Sequence, residues 1–308
     1  MLTKENRLAC PEARIESTSL CNAKCIICPR DKMTRPEVTM PMGHFARIID
    51  QVKELGATTV SVFGYGEPLM DDGLAQKIQY CTAQGIKTLI TTNAALLDPN
   101  FAFDLIEAGL SQIRFSVHGL TKKNYERVHR KLDYDLVIRN ISNFIAINRM
   151  KKAPVITDVI AIPMNGESVE DIKNRWGEHV DYLEVWRPHN WVNAKTYRKV
   201  EQKKKTCGRP FRGPIQVNAD GTMMVCCFDF DSQLTIGDTY KDNIKDILLG
   251  PAMRIIQAVH SNGDLGSLIC GGCDQLNEEK ESPLLYSDRD KELRVGRTSV
   301  TKFKLGGK

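Results

Sequence analysis

The sequence predicts an α/β fold built from six successive β–α units, and two observations support this prediction. Short runs rich in β-branched residues alternate with longer segments whose apolar residues recur at helical spacing, which is the pattern of a parallel sheet coated by helices. The connections between these segments are short, which favours right-handed crossovers between neighbouring parallel strands. Because eight such units would close a full TIM barrel, six predict an open, partial (β/α)6 barrel.

Each unit is predicted from its own residues. The helices follow from apolar residues three and four positions apart, and one of them has a clear start, since Asp98 suits a cap and Pro99 suits a first helical turn. Strands are predicted at residues 13–20, 58–64, 86–92, 113–117, 155–162 and 182–186. Helices are predicted at residues 42–55, 74–83, 99–110, 134–150 and 168–177. Ligands of such sheets gather at the carboxyl ends of the strands, where the motifs below fall.

The composition is that of a globular protein, with 42% hydrophobic and 26% charged residues among 308. A chain of this length can bury a large core, and one large domain with a smaller one is expected. It has no run of eighteen apolar residues and no N-terminal signal core, which predicts a cytoplasmic protein that does not enter membranes. Its net charge of +5 is concentrated at residues 195–212 and 294–308. Neither stretch is interleaved with aromatic residues, so both are interpreted as solvated charge and not as a nucleic-acid site.

Three cysteines fall together after the first predicted strand: Cys21, Cys25 and Cys28. In a reducing compartment grouped cysteines more often hold metal than form disulfides, and three cannot pair among themselves. Three thiolates are one fewer than a cubic iron–sulfur cluster normally takes, which leaves one iron open for a ligand, as in catalytic metal sites. Zinc would need a fourth ligand, and no His precedes His44. The plain alternative is a chance grouping in a chain with ten cysteines.

This Cys-x3-Cys-x2-Cys loop resembles the signature of the radical S-adenosylmethionine (radical SAM) superfamily. The resemblance implies a [4Fe–4S] cluster held by the three cysteines, with SAM chelating its open iron. It implies reductive cleavage of SAM to a 5′-deoxyadenosyl radical, which takes a hydrogen atom from the substrate. A flavodoxin- or ferredoxin-type protein is the implied electron donor.

Segments at the ends of later strands resemble the family's SAM-binding segments. A Gly-x-Gly-Glu turn follows the second strand, where the family contacts the SAM amino group, and a Thr-Thr-Asn segment ends the third. The family also contacts the ribose of SAM through a serine, which matches Ser116, and its carboxylate through an arginine, which matches Arg130. By this resemblance the predicted SAM-binding residues are Gly66, Glu67, Asn93, Ser116, Arg130 and, as a weaker match, Asn165.

The sequence leaves two alternatives open at His118 and two at Arg130. His118 stands where the family often has an acidic residue, and it is either a substrate-side acid/base or a polar residue of the rim. Arg130 is either the carboxylate-binding arginine, a role that suits its forked donor, or a solvated helix charge like Arg127. After the last strand, His189, Asn190 and Trp191 are expected to face the same mouth.

A second cysteine group follows the basic stretch. Two apolar runs around an Asp-Gly turn predict a hairpin beyond residue 215, with Cys207 before it and Cys226 near its end. A helix-like stretch at 244–260 leads to Cys270 and Cys273. From this spacing alone, a structural zinc site and an iron–sulfur cluster are nearly equally favoured.

The second group resembles the SPASM/twitch extension of radical SAM enzymes. No cysteine follows Cys273, which matches the shorter twitch form, with one auxiliary [4Fe–4S] cluster held by Cys207, Cys226, Cys270 and Cys273. The predicted domains are an N-terminal lead (1–12), a radical SAM partial barrel (13–190), a basic linker (191–206), a small α+β twitch/SPASM-like iron–sulfur domain (207–285) and a flexible tail (286–308).

Two further residues are catalytic candidates, together with His118. Cys227, next to a predicted ligand, is a buried spare, an alternative ligand, or a thiol that donates a hydrogen atom to a substrate radical, as in the family's epimerases. Asp229 would serve as a base.

Three functions are weighed on these grounds. The first is a radical SAM enzyme that oxidises or epimerises a small polar substrate such as a sugar, aminocyclitol or nucleoside-like molecule. The second is a radical SAM maturase of a ribosomal peptide, which is less favoured because the first cysteine of the loop lies near the N-terminus and leaves no room before it for a leader-binding module. The third is a non-catalytic metal-binding scaffold, which would leave the SAM-binding segments unexplained.

Overall fold

A computed structural model describes residues 1–152 and 155–277, and the backbone of Pro283–Tyr286. Its strands form one ten-stranded sheet, and numbered along the chain they lie in the order β10-β6-β5-β4-β3-β2-β1-β7-β8-β9. The strands are β1 (Glu12–Ile15), β2 (Thr59–Val62), β3 (Lys87–Thr92), β4 (Gln112–Ser116), β5 (Ile156–Ala161), β6 (Tyr182–Trp186), β7 (Ile215–Val217), β8 (Thr222–Met224), β9 (Thr235–Asp238) and β10 (Pro283–Tyr286).

Helices connect and cover these strands. They are α1 (Met42–Glu54), α2 (Leu74–Ala83), α3 (Pro99–Glu107), α4 (Lys122–Val128), α5 (Tyr134–Met150), α6 (Val169–Trp176), α7 (Arg209–Arg212), α8 (Ile244–Leu249) and α9 (Pro251–Asn262). Short 3-10 turns lie at Pro29–Lys32, Pro68–Met70, Leu265–Ser267, Ile269–Gly272 and Asp274–Leu276. None of the helices in the part of the chain described has the length and hydropathy of a membrane span.

The six predicted β–α units are present as an open parallel sheet. Strands β1 to β6 pair in parallel, each with the next along the chain. Helices α3 and α5 start at side-chain caps: Asp98 accepts a hydrogen bond from the Phe101 amide in α3, and Asp133 accepts one from the Leu136 amide in α5. Helix α6 has a full capping box, in which Ser168 and Asp171 satisfy each other's amides.

The structure differs from the sequence-based prediction at several places, of which three bear on the site. The first strand ends at Ile15, short of the predicted end at residue 20, although the Glu16 amide still donates to the Val217 carbonyl at 2.9 Å. Helix α4 was not predicted. The stretch expected to be one helix at 244–260 is two, because the chain is extended at Gly250 and Pro251 starts a new helix without an amide to donate.

The C-terminal segment continues the sheet of the barrel. The predicted hairpin is formed by β7 and β8, with Gly221 in the left-handed region (φ 85°) at its turn. Strand β7 also pairs in parallel with β1, through Ala13–Ile215, Arg14–Gln216 and Ile15–Val217. The hairpin is therefore attached directly beside the strand that leads into the cysteine loop. The domain boundaries stay a prediction, and the predicted tail at 286–308 lies almost wholly outside the described residues.

Candidate active site

A cavity of about 780 Å³ lies at the carboxyl ends of the parallel strands. One wall comes from residues that end or follow barrel strands, including Thr91, Ser116 and His118. Another part of the wall comes from the C-terminal segment and includes the four cysteines of the second group: Cys207, Cys226, Cys270 and Cys273. The sheet thus brings two regions that are distant in sequence to one space.

The cysteine loop is held against the end of α4 beside this cavity. The amides of Lys24 and Ile26 donate to the carbonyls of Arg130 and Val128, at 2.9 Å each. Cys21, Cys25 and Cys28 are all half-buried. Burial raises the pKa of Cys25 well above that of an ordinary thiol and the pKa of Cys28 to about 11. Because cluster binding would deprotonate these thiols, three half-buried thiols on one loop are compatible with a cluster that takes three thiolates.

The predicted Gly-x-Gly-Glu turn packs directly on the chain that leads into the cysteine loop. A Cβ atom at Gly66 would lie 2.0 Å from the Thr18 carbonyl oxygen and 2.8 Å from that of Leu20. The Glu67 amide donates to the Leu20 carbonyl at 2.7 Å. Only glycine allows this approach at position 66, and the turn thereby fixes the two loops relative to each other.

The Glu67 carboxylate braces the ends of two strands. Its oxygens accept hydrogen bonds from the Thr92 hydroxyl at 2.6 Å, the Asn93 amide at 2.8 Å and the Leu69 amide at 3.2 Å. Burial raises the pKa of Glu67 to about 7, against the lowering effect of these donors. The Asn93 side chain in turn donates to Asn22 of the cysteine loop at 2.8 Å. The structure thus brings Gly66, Glu67 and Asn93 together with the loop, as a SAM cradle requires; their direct contact with SAM stays a prediction.

His118 faces the cavity as a neutral hydrogen-bond donor. Its Nδ1 accepts a hydrogen bond from the Ile162 amide at 3.1 Å, so the ring proton is on Nε2. Burial lowers the pKa of His118 to about 3. The Nδ1 lone pair is thus engaged and the neutral ring is favoured, which weighs toward the alternative of a polar rim residue; the role of His118 stays a prediction. Ser116 lines the same cavity, as predicted.

Ser116 is the one predicted SAM-binding residue that lines the cavity; among the described residues Gly66, Glu67, Asn93, Arg130 and Asn165 do not. Arg130 is exposed, and the residue before it, His129, is the one whose side chain turns inward. The structure therefore favours the alternative reading of Arg130 as a solvated charge. The Asn165 side chain donates to the Asn124 carbonyl of α4 at 3.2 Å and stabilises the loop after β5.

The second cysteine group is also set up for ligation. Burial raises the pKa of Cys270 to about 12 and that of Cys273 to about 11, and a negative charge on Cys207 raises both further. Cys226 Sγ accepts a hydrogen bond from the Phe228 amide at 3.4 Å, a donor suited to a thiolate ligand. Within residues 1–152 and 155–277, no three Cys, His, Asp or Glu side chains are close enough together to surround a single metal ion.

Cys227 and Asp229 have different surroundings. Cys227 lines the cavity; its Sγ accepts a hydrogen bond from Arg14 Nη1 at 3.2 Å, and its carbonyl accepts one from the Tyr65 hydroxyl at 2.6 Å. Asp229 is buried and accepts from the amides of Gln233 and Leu234, at 3.0 and 2.6 Å. Asp229 thus holds its own loop in shape, and within the described chain it does not line the cavity; its role as a base stays a prediction.

Several residues of the site were not foreseen from the sequence. One is the buried ion pair between Glu16 and Arg35, at 2.9 Å. Glu16 also accepts hydrogen bonds from the amides of Tyr65 and Ala219, and Arg35 donates one to the Phe230 carbonyl. The pair therefore joins the barrel loops to the C-terminal segment. Arg14 is held by Glu12 at 3.0 Å. Charged residues on a short strand next to a cysteine loop are the signal that sequence reading could have used.

The predicted aromatic rim is present in part. The ring of Phe228 lies 4.9 Å from that of His189 and 5.6 Å from that of Trp191, and all three line the cavity. Asn190 is instead buried, and its side chain donates to the Arg198 carbonyl at 2.6 Å. The Trp191 indole donates to the Ile27 carbonyl of the cysteine loop at 2.7 Å, so the predicted basic linker begins by packing on that loop.

Two protein-family models match the chain. The model described as the Radical SAM superfamily matches residues 15–175, which is just over half of the sequence. The model described as an iron-sulfur cluster-binding domain, SPASM, matches residues 207–274. These two ranges contain the first and the second cysteine group, respectively.

The chain is also similar to known proteins and solved structures. The GTP 3′,8-cyclase of Alkaliphilus oremlandii (strain OhILAs) is 33% identical over 164 residues, which are 51% of this chain and 50% of that protein. This chain thus spans about half the length of that relative. The structure of BtrN in complex with AdoMet and 2-DOIA has a TM-score of 0.58 at 17% identity, over 92% of this chain and 96% of that chain. Streptococcus suis SuiB bound to precursor peptide SuiA has a TM-score of 0.66 at 16% identity, over 88% and 70%.

These findings confirm the fold class and the cofactors that the sequence predicts. At such identities the two solved structures establish the fold alone, an α/β partial barrel with a small C-terminal domain. The two family models imply a SAM-binding [4Fe–4S] cluster, SAM and an auxiliary iron–sulfur cluster. For the second cysteine group they favour iron–sulfur over zinc. Which side chains hold each group stays a prediction.

Proposed function

Since this chain belongs to the radical SAM superfamily, we propose that it takes a hydrogen atom from a small polar molecule, such as a sugar, an aminocyclitol or a nucleoside, and completes its oxidation or epimerisation. When bound, the reduced cluster and SAM supply the 5′-deoxyadenosyl radical for that step. We propose Cys21, Cys25 and Cys28 as the ligands of this cluster, and Cys207, Cys226, Cys270 and Cys273 as the ligands of the auxiliary cluster. The proposed electron donor is a flavodoxin- or ferredoxin-type protein.

The observation that carries this proposal is the shared cavity. Residues at the strand ends and the four cysteines of the second group both line it. A substrate between them would lie within reach of both. That placement suits a reaction in which a hydrogen atom leaves the substrate on one side and an electron leaves it on the other.

The size of the cavity favours a small substrate over a peptide. The name GTP 3′,8-cyclase denotes a nucleotide substrate, whereas the SuiB structure contains a precursor peptide, so proteins similar to this chain include both classes. A volume of about 780 Å³ is that of a small-molecule site. It must also admit part of the cofactors, which leaves room for a molecule of roughly sugar or nucleoside size.

Side chains of the cavity wall have separate tasks in this proposal. The rings of His189, Trp191 and Phe228 exclude water and offer an apolar face to a sugar or base. The Cys227 thiol is placed by Arg14. A hydrogen atom from this thiol to the substrate radical would give the epimer and leave a thiyl radical, which an electron from the electron donor and a proton restore to the thiol. Loss of an electron from the radical carbon and of a proton from the hydroxyl or amino group on it would instead give the oxidised product.

Anaerobic reconstitution with iron and sulfide tests the proposal. Two four-iron clusters require about eight irons per chain, and the reduced protein should form 5′-deoxyadenosine from SAM. Deuterated sugars, aminocyclitols and nucleosides should then pass deuterium to 5′-deoxyadenosine when the substrate is correct. Fully loaded, reduced protein that leaves SAM intact would overturn the proposed activity. Deuterium transfer from peptides alone would overturn the substrate class.

A further inference from the structure

A buried histidine that the proposed reaction does not use contacts a predicted cluster ligand. His129 immediately follows α4, and its Nδ1 lies 3.3 Å from Cys25 Sγ. The backbone holds the two residues opposite each other, because the amides on either side of Cys25 donate to the carbonyls on either side of His129. Cys25 and His129 therefore face each other as a fixed pair across a short two-stranded contact.

The protonation of the His129 ring follows from its other nitrogen. Nε2 accepts a hydrogen bond from the backbone amide of His118 at 3.1 Å. An amide can only donate, so in the neutral ring the proton is on Nδ1, and Nδ1–H donates to the Cys25 sulfur. The contact is thus a hydrogen bond toward the ligand atom itself.

The ring has little freedom to turn away from this sulfur. It is stacked between Tyr125, with centroids 4.4 Å apart, and His118, with centroids 4.7 Å apart. His118 is itself fixed by the Ile162 amide. The chain after β4 can lie this close to α4 because of Gly119, where a Cβ atom would meet the Tyr125 amide nitrogen at 2.5 Å.

We propose that His129 is a positioning residue that sets the reduction potential of the SAM-binding cluster through Cys25. A hydrogen bond to a ligand sulfur stabilises the more negative, reduced cluster and so raises its potential. The His129 side chain is buried, so water is not expected to replace this donor once it is removed. The inference rests on the proposed function only in taking Cys25 as a ligand, and it needs neither substrate nor turnover.

Redox titration of the reconstituted holoenzyme, followed by electron paramagnetic resonance, tests this role. His129→Phe keeps a stacked ring and removes the donor, and we expect a tenfold less favourable reduction, which is about 59 mV for one electron. His129→Asn places an amide donor near the position of Nδ1 and should recover most of the shift. His44→Phe changes another buried histidine, whose ring stacks on Tyr240, and should leave the potential unchanged. The auxiliary cluster provides an internal reference.

A second measurement separates a hydrogen bond from mere packing. Resonance Raman bands of the iron–cysteine bonds should shift in D2O for the wild type and lose that shift in His129→Phe. An unchanged potential in fully loaded His129→Phe protein would overturn the proposal, and so would an Asn variant that behaves like the Phe variant. If His129→Phe fails to bind iron, the Asn variant decides: recovery of both loading and potential supports the role, and failure to recover either overturns it.

Discussion

Gly66 is the position where one added carbon is expected to do the most damage to SAM binding. In Gly66→Ala the new Cβ atom would lie 2.0 Å from the Thr18 carbonyl oxygen and 2.8 Å from the Leu20 carbonyl oxygen. Both are backbone atoms of the chain that leads into Cys21, so no flexible side chain can move aside. The clash is relieved only by moving one loop away from the other.

The size of the effect follows from these distances. A Cβ contact below 3.0 Å is essentially never found, so the Thr18 carbonyl must retreat by at least about 1 Å. Overpacking of this kind costs about 1–3 kcal/mol. Because the displaced segment leads into Cys21 and accepts the Glu67 amide, we expect that cost to appear in ligand binding, as SAM affinity that is about 5- to 150-fold weaker.

Anaerobic calorimetry of SAM binding to cluster-loaded protein measures this loss, with iron content determined on the same sample. Gly43→Ala is the matched control, because the space around Gly43 in α1 is open within 4 Å and alanine favours a helix. We expect wild-type SAM affinity for that variant. A Gly66→Ala protein with full iron and wild-type affinity would refute the reasoning.

Three further predictions concern the ionisable groups and cysteines of the site. Burial raises the pKa of Glu67 from 4.5 to about 7. The stability that Glu67 contributes is therefore complete below pH 4.5 and is lost as the pH rises through 7. The Glu67→Gln variant should show a flatter fall in melting temperature from about pH 5 to about pH 8, and an unchanged slope would contradict this. Cys227→Ala should abolish deuterium uptake from D2O into product while SAM is still cleaved, whereas normal turnover would exclude the thiol as hydrogen donor. Changing Cys21, Cys25 and Cys28 together to Ala should leave about four irons per chain in the auxiliary cluster, and loss of all iron would count against that cluster's assignment.

Regular elements with strong local signals could be predicted from the sequence. The predicted bounds of α2, α5 and β6 coincide with those in the structure, because apolar spacing and, in α5, the Asp133 cap fix them locally. Prediction from the spacing of apolar residues failed where a single residue breaks a helix. The apolar spacing runs through both α8 and α9, and the break at Pro251 depends on a missing amide that a count of apolar residues overlooks.

The cysteines of the site could be found from their spacing, but the residues around them could not. The position of His129 depends on where α4 ends, and since α4 itself was not predicted, nothing in the sequence indicated that the His129 side chain turns inward. The Glu16–Arg35 pair joins residues nineteen positions apart and is completed by amides of two other segments. Such pairs are set by the three-dimensional packing of loops, for which one sequence carries no periodic signal.

The pairing of β1 with β7 has a practical consequence for protein engineering. An auxiliary domain that hung from a flexible tether could be exchanged between relatives by cutting at the tether. Here, deletion of the chain from Cys207 onward would leave the backbone groups of Ala13, Arg14 and Ile15 that pair with β7 unpaired. Such an uncovered strand invites pairing with other chains. Chimaeras of this enzyme should therefore transfer β1 and β7 as one unit, and a truncated barrel is expected to aggregate.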